Sequence, residues 1–169
     1  MDIEFDRRGN VFPYAIIEID LEQFEKSFVA NFNSDSTRSS LFVNYQNYLD
    51  ALKPFLTHDF FQWVDGSFVT KKDSPKDIDL ISVVHYEDYE VNKVLLEKEF
   101  SSSAARKNFG VDAYIVSNYP ANHPKHTFTK SDLLYWNDLF GRTRLNRAKK
   151  QFKKGIIQID FKSESWKTI

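Results

Sequence analysis

The sequence predicts an α/β or α+β layer structure, and three observations carry that expectation. Short runs rich in β-branched and aromatic residues recur along the chain, segments with apolar residues at helical spacing lie between them, and turn-forming clusters separate the two. Composition agrees: 169 residues, 41% hydrophobic and 16% aromatic, with only five Gly and five Pro, describe a single ordered domain over 1–169.

The elements follow in order. Residues 20–28 (DLEQFEKSF) make a short amphipathic helix, and 31–40 is a loop. From 37 to 54, Leu41, Tyr45, Leu49 and Leu52 recur at helical spacing, with Ser36 or Thr37 able to cap the helix and Pro54 to stop it. The bulky run 60–64 reads as a strand that enters a turn at Asp65-Gly66-Ser67. Residues 77–84 (DIDLISVV) form the clearest strand. A helix over 88–100, a strand over 111–116, a loop over 116–126 and a helix over 130–140 come next. A basic helix near 144–154, turning Leu145, Ala148 and Phe152 inward, leads to a last strand over 155–161.

A chain this long buries roughly two-thirds of its unfolded surface, so it needs neither disulfide nor structural metal. The chain has no cysteine, which excludes a thiolate zinc site, a disulfide framework and a cysteine nucleophile. No run of about 18 apolar residues could span a membrane, and the start, MDIEFDRRGN, lacks the pattern of a signal peptide. A cytoplasmic location without membrane contact is the resulting expectation. Net charge is −1, but it is unevenly spread. Residues 1–60 carry ten acidic and five basic side chains, whereas 142–154 carry seven basic and none acidic, so that segment can meet an anionic partner.

One constellation carries chemistry. Gly66-Ser67 follows a hydrophobic strand, nine residues intervene, and Asp77-Ile78-Asp79-Leu80 opens another strand. Side chains two apart on a strand share a face, so Asp77 and Asp79 project together while Ile78 and Leu80 face the opposite layer. Two adjacent carboxylates repel unless a cation lies between them, and oxygen-only ligands suit Mg²⁺ or Mn²⁺. Gly66 lets a phosphate approach without meeting a Cβ atom. The backbone N–H groups that follow and the Ser67 hydroxyl make an anion site if a helical turn begins there, and Lys71 and Lys72 add charge from the intervening loop. Asp112 opens a later strand and reaches the same metals if the two strands are neighbours.

This pattern resembles the nucleotidyltransferase superfamily with the polymerase-beta-like fold, and over WVDGSFVTKKDSPKDIDL it is similar to a small bacterial branch of minimal nucleotidyltransferases. The resemblance covers residues 60–116. It implies a mixed β-sheet flanked by helices and attack of an acceptor hydroxyl on the α-phosphate of a nucleoside triphosphate, with ATP the expected donor. It implies Asp77, Asp79 and Asp112 as catalytic metal ligands and Gly66 and Ser67 as holders of the β and γ phosphates. The acceptor implied is a protein partner, as in toxin–antitoxin pairs, or an RNA end or small molecule.

Other signals have plainer readings. His123 and His126 lie in a Pro-rich stretch without cysteine and read as an exposed loop, His85 as a strand-end residue, and Trp63 and Trp136 as core. The basic segment is either a solvated helix face or a grip on a triphosphate or RNA. Two rival functions stand beside the enzyme: a catalytically silent module that binds a nucleotide or partner, and an RNA-binding module working through 142–154.

Overall fold

A computed structural model describes residues 2–166. A short antiparallel pair, β1 (Glu4–Phe5) and β2 (Val11–Phe12), precedes β3 (Ile16–Ile19), α1 (Leu21–Glu25) and α2 (Arg38–Leu52). The chain continues through β4 (Phe60–Asp65), β5 (Asp79–His85), α3 (Tyr86–Phe100), α4 (Ser102–Phe109), β6 (Asp112–Asn118), α5 (His126–Phe140) and β7 (Ile156–Phe161). Five strands form a mixed sheet in the order β3-β7-β4-β5-β6. β4 runs antiparallel to both its neighbours, while the β3–β7 and β5–β6 pairs are parallel. The fold is therefore α+β in class.

The period-2 alternation of the central strands sorts their side chains into two layers. Val64, Leu80, Val84 and Ala113 face the larger core with α2 and α4, and Ile78 lies fully buried in the same layer. Trp63, Ile81, Val83 and Val116 face the other side, where Phe140 and Trp136 of α5 cover them. The larger layer also buries a polar chain. Tyr45 donates to Gln62 Oε1 at 2.6 Å, and Gln62 Nε2 donates to Ser82 Oγ at 2.8 Å, so each polar atom placed inside gains a partner.

Arg38 is the other charged exception. Its side chain is fully buried, and its guanidinium donates to the carbonyls of Phe28 (2.7 Å), Phe68 (2.6 Å), Thr70 (2.8 Å) and Lys72 (2.5 Å). The cation also lies 3.6 Å from the Phe32 ring centroid. Burial lowers its pKa to about 10, so it stays charged at neutral pH. One side chain thus ties the start of α2 to the turn that follows β4.

Most expected elements stand within a few residues of their sequence positions. Asp20 caps α1, its carboxylate accepting from Gln23 N at 2.7 Å. The helix then continues as a π-helical turn over Lys26–Ala30. Thr37 occupies the N-cap of α2, yet its hydroxyl donates to the Pro75 carbonyl, and Ser36 Oγ accepts the Arg38 N–H instead. Pro54 falls in a 3₁₀ turn, Lys53–Phe55, after the helix has ended. β1, β2 and β3 had no sequence counterpart because two to four residues are too few for alternation to register; the eight-residue α4 escaped for the same reason.

The basic helix expected at 144–154 does not form. Leu145 is 63% exposed and Ala148 is exposed, so the inward stripe has no surface to meet, and six like charges repel at helical spacing. The segment folds back on itself instead. Asn146 Oδ1 accepts from Lys150 N, Lys149 adopts φ 55°, Thr143 N donates to Phe152 O, and Lys154 N donates to Gly141 O. Phe152 is half-buried beneath the Arg8 guanidinium, 3.9 Å from its ring centroid.

Candidate active site

Strand register assembles the acids. Asp65, the last residue of β4, pairs with Asp79, the first of β5, and Asp79 pairs with Asp112, the first of β6. Directly paired residues point to one face, here the α5 side shared with Trp63, Ile81 and Tyr114. Asp77 lies just before the strand rather than in it. Arg106, from α4, joins two acids: its Nη2 is 2.5 Å from Asp112 Oδ2 and 3.8 Å from Asp77 Oδ2. Those two carboxylates are thus no farther apart than the two contacts laid end to end.

Beside Asp79 opens a cleft of about 450 Å³, a size that admits a nucleotide, and Asp112 is not among the residues that line it. Asp65, Asp77, Asp79, Gly66 and Ser67 line it, and Lys72, Lys76, Arg142, Arg144 and Lys154 supply positive charge around it. Leu139 and Phe140, the end of α5, form its apolar side. Lys71 is not among the lining residues. Its ammonium lies 5.5 Å from the Phe5 ring centroid, and Lys76 stands in the cleft in its stead.

Electrostatics in the cleft run in both directions. The Asp79 carboxyl is raised above the ordinary carboxylate range, first by burial and then by Asp77 and Asp112, while Arg144 and Lys154 partly offset this. Oxygen donors of like charge suit a hard divalent cation such as Mg²⁺ or Mn²⁺, but the Asp77, Asp79 and Asp112 carboxylates do not converge to within 4.8 Å of one another, so such an ion would have to draw them together.

Gly66 has φ +78°, and a Cβ there would fall 1.8 Å from Asp79 Oδ2. The missing side chain therefore makes room for the carboxylate itself, a tighter constraint than the phosphate approach expected from sequence. Gly66–Val69 forms consecutive turns, with Phe68 and Val69 buried, and not the start of a helix. Arg38 takes carbonyls of this loop from behind.

Asp65 and Lys154 form a buried pair. Lys154 Nζ donates to Asp65 Oδ2 at 2.8 Å and lies 2.8 Å from Oδ1, and both side chains are less than a tenth exposed. Burial pushes the Asp65 carboxyl up to about 7 despite the lysine. Lys154→Met is therefore expected to lower stability by about 3–5 kcal/mol at pH 8, where Asp65 would be an uncompensated buried charge. The sign follows from the raised folded pKa: unfolded Asp65 ionises near 3.8, so the penalty is absent below that pH and grows as pH rises through 7. Urea unfolding of the variant at pH 5 and pH 8 should show a smaller loss at pH 5, and equal losses would reject this account.

Sequence reasoning missed Asp65, Lys154, Arg106, Lys76 and the separate contribution of Arg144. Asp65 was the most accessible, since a hairpin closing at Gly66 sets it opposite an aspartate of the next strand. Lys154 and Arg106 carried no local signal, because their positions depend on a folded-back loop and a short helix. His123 and His126 stand apart from the cleft: the His123 ring packs 4.7 Å from Tyr119, and His126 Nδ1 is 2.8 Å from the Tyr119 carbonyl oxygen. No helix among the described residues is long and apolar enough to cross a membrane. A family model described as "Family of unknown function (DUF6932)" matches residues 3–160. No curated protein and no solved structure matches the chain.

Proposed function

The chain belongs to DUF6932, a family of unknown function, and from the geometry of its site we propose that it is a metal-dependent nucleotidyltransferase. The observation that carries the reading is the in-register pairing of Asp79 with Asp112, with Asp77 and Asp79 lining a nucleotide-sized cleft rimmed by cations. The acceptor hydroxyl oxygen bonds to the α-phosphorus of a nucleoside triphosphate, ATP by preference, and the bond from that phosphorus to the α–β bridging oxygen breaks. Pyrophosphate leaves with the electron pair, and the hydroxyl proton passes to a site carboxylate, Asp112 by its position. Asp77, Asp79 and Asp112 would hold Mg²⁺ or Mn²⁺, which would supply charge neutralisation for the reacting phosphate when bound. Gly66, Ser67, Lys72 and Lys76 hold the β and γ phosphates, and Arg144 faces the same charge from the opposite rim. The acceptor is a protein partner or RNA that reaches the open cleft, and the activity is cytoplasmic, where the triphosphate is supplied.

A second reading has one observation in its favour: Arg106 already neutralises Asp112 and Asp77, as expected of a silent module that binds a nucleotide or partner without transferring. Incubation with α-labelled ATP, Mg²⁺ and candidate acceptors separates the two. Transfer of label supports the enzyme; binding without transfer supports the module. For the enzyme, Asp112→Ala is expected to leave Mg²⁺-nucleotide affinity within a few-fold of the parent while abolishing turnover, because Asp77 and Asp79 remain to hold the bound nucleotide. Unchanged turnover in that variant would remove Asp112 from the mechanism.

A further inference from the structure

The opposite end of β5 carries a second cluster. His85, the last residue of the strand, lies six residues from Asp79, about 20 Å away at ~3.3 Å per residue. The His58 ring stacks on it at 3.9 Å between centroids and 19° between planes. Both imidazoles address one carboxylate oxygen: His58 Nε2 is 3.3 Å and His85 Nδ1 3.8 Å from Glu87 Oε2. These separations exceed the roughly 2.7–2.9 Å of a charge-assisted hydrogen bond. The three side chains surround a gap, with one donor atom from each within 4.8 Å of the others, and His85 Nδ1 also accepts the Glu87 backbone N–H at 3.4 Å as the N-cap of α3.

Two of the three donors are held from behind. His58 Nδ1 lies 3.2 Å from Asp88 Oδ2, and Asp88 is buried and fixed by Thr57 N (2.9 Å), Thr57 Oγ1 (2.5 Å) and His58 N (2.9 Å). A carboxylate on Nδ1 directs the Nε2 lone pair towards Glu87, the arrangement that orients a histidine for metal ligation. Tyr86 donates to Glu87 Oε1 at 3.1 Å, which leaves Oε2 facing the histidines.

We propose that His58, His85 and Glu87 form a binding site for a borderline divalent transition ion, Zn²⁺ foremost, with the fourth position open to solvent. Neighbouring ligands of a tetrahedral ion with bonds of about 2.0–2.1 Å stand roughly 3.3 Å apart, which the His58–Glu87 separation already matches. To reach the same ion, the His85 ring turns out of its stack on His58 and Nδ1 releases the Glu87 backbone N–H. Two imidazoles and one carboxylate favour Zn²⁺ over Mg²⁺, so this site and the all-oxygen cleft take different ions. The bound ion joins the segment before β4 to the β5–α3 junction.

The test is calorimetric titration of the chelator-stripped full chain with ZnCl₂ in excess Mg²⁺, which occupies the carboxylate cleft. One equivalent of Zn²⁺ is expected, and it should persist in the Asp79→Asn protein. His85→Gln and Glu87→Gln should each weaken it by at least the ~10–100-fold that even outer-sphere changes cost. Glu87 is half exposed, so its variant keeps the fold. In the unaltered protein, Zn²⁺ should shift the imidazole nitrogen resonances of His58 and His85 and leave those of His123 and His126 in place. Absence of Zn²⁺ uptake, affinity in both variants equal to that of the unaltered protein, or shifts confined to His123 and His126 would overturn the proposal. Because the readout is Zn²⁺ alone, its failure leaves the nucleotidyl-transfer reading untouched, and failure of that reading leaves this one.

Discussion

An Asp79→Asn protein is expected to lose nucleotidyl transfer by about a thousandfold or more, the rate equivalent of several kcal/mol of charge stabilisation at the metal. The fold should survive. Asp79 sits between Asp65 and Asp112 in the sheet register, and burial together with the Asp77 and Asp112 charges disfavours its ionised form. Asparagine keeps the shape and removes the charge, so stability without metal should hold or rise. The sign can be checked against pH. A carboxyl raised in the folded state costs nothing while protonated in both states and destabilises once the unfolded group ionises. Asparagine's advantage should thus be absent well below the ordinary carboxylate range and appear above it. Loss of transfer and of Mg²⁺-nucleotide affinity, measured beside urea unfolding at pH 3.5 and 7.5, is the expected pattern. Full Mg²⁺-nucleotide affinity in the variant would put the metal elsewhere.

Gly66→Val should do the reverse, damaging the fold and the site together. A non-glycine residue at φ +78° costs roughly 1–2 kcal/mol, and more for a β-branched side chain. The added Cβ also collides with the Asp79 carboxylate, so either the turn or Asp79 must move. A total near 3–4 kcal/mol and loss of detectable triphosphate binding are expected. Gly66→Ala separates the two causes, since alanine carries the same Cβ without the branch. If Asp79 is the obstacle, alanine lowers stability in the absence of nucleotide nearly as far as valine does. A collision with phosphate alone would leave alanine with little beyond the backbone term.

The sequence carried the site further than it carried the structure around it. Gly66, Ser67, Asp77, Asp79 and Asp112 were readable because each stands where a strand begins or ends, and period-2 geometry fixes the faces of their neighbours. That β5 and β6 are adjacent, with Asp79 opposite Asp112, is a matter of strand order, which alternation does not encode. The segment 144–154 misled for a physical reason. Helical spacing of Leu145, Ala148 and Phe152 has meaning only if a partner surface exists, and the sheet face that would supply it is already covered by α5. Lys154 then enters the cleft through a fold-back that local pattern cannot announce.

The Arg38 guanidinium gives the two walls of the cleft unequal stiffness. On one side, Phe68, Thr70 and Lys72 hang from a charge rooted in a fifteen-residue helix, so that wall opens only at the expense of three charge-assisted bonds at once. On the other, residues 142–153 are held by a few backbone bonds, the Asn146 and Thr143 side-chain acceptors, the exposed Arg142–Asp138 ion pair and one ring contact, and most of their side chains face water. Amide protons of 68–72 should therefore exchange with solvent only in concert with the start of α2, and those of 144–150 far sooner. Acceptors of different bulk would then be accommodated by the soft wall, while the phosphates rest against one that does not yield.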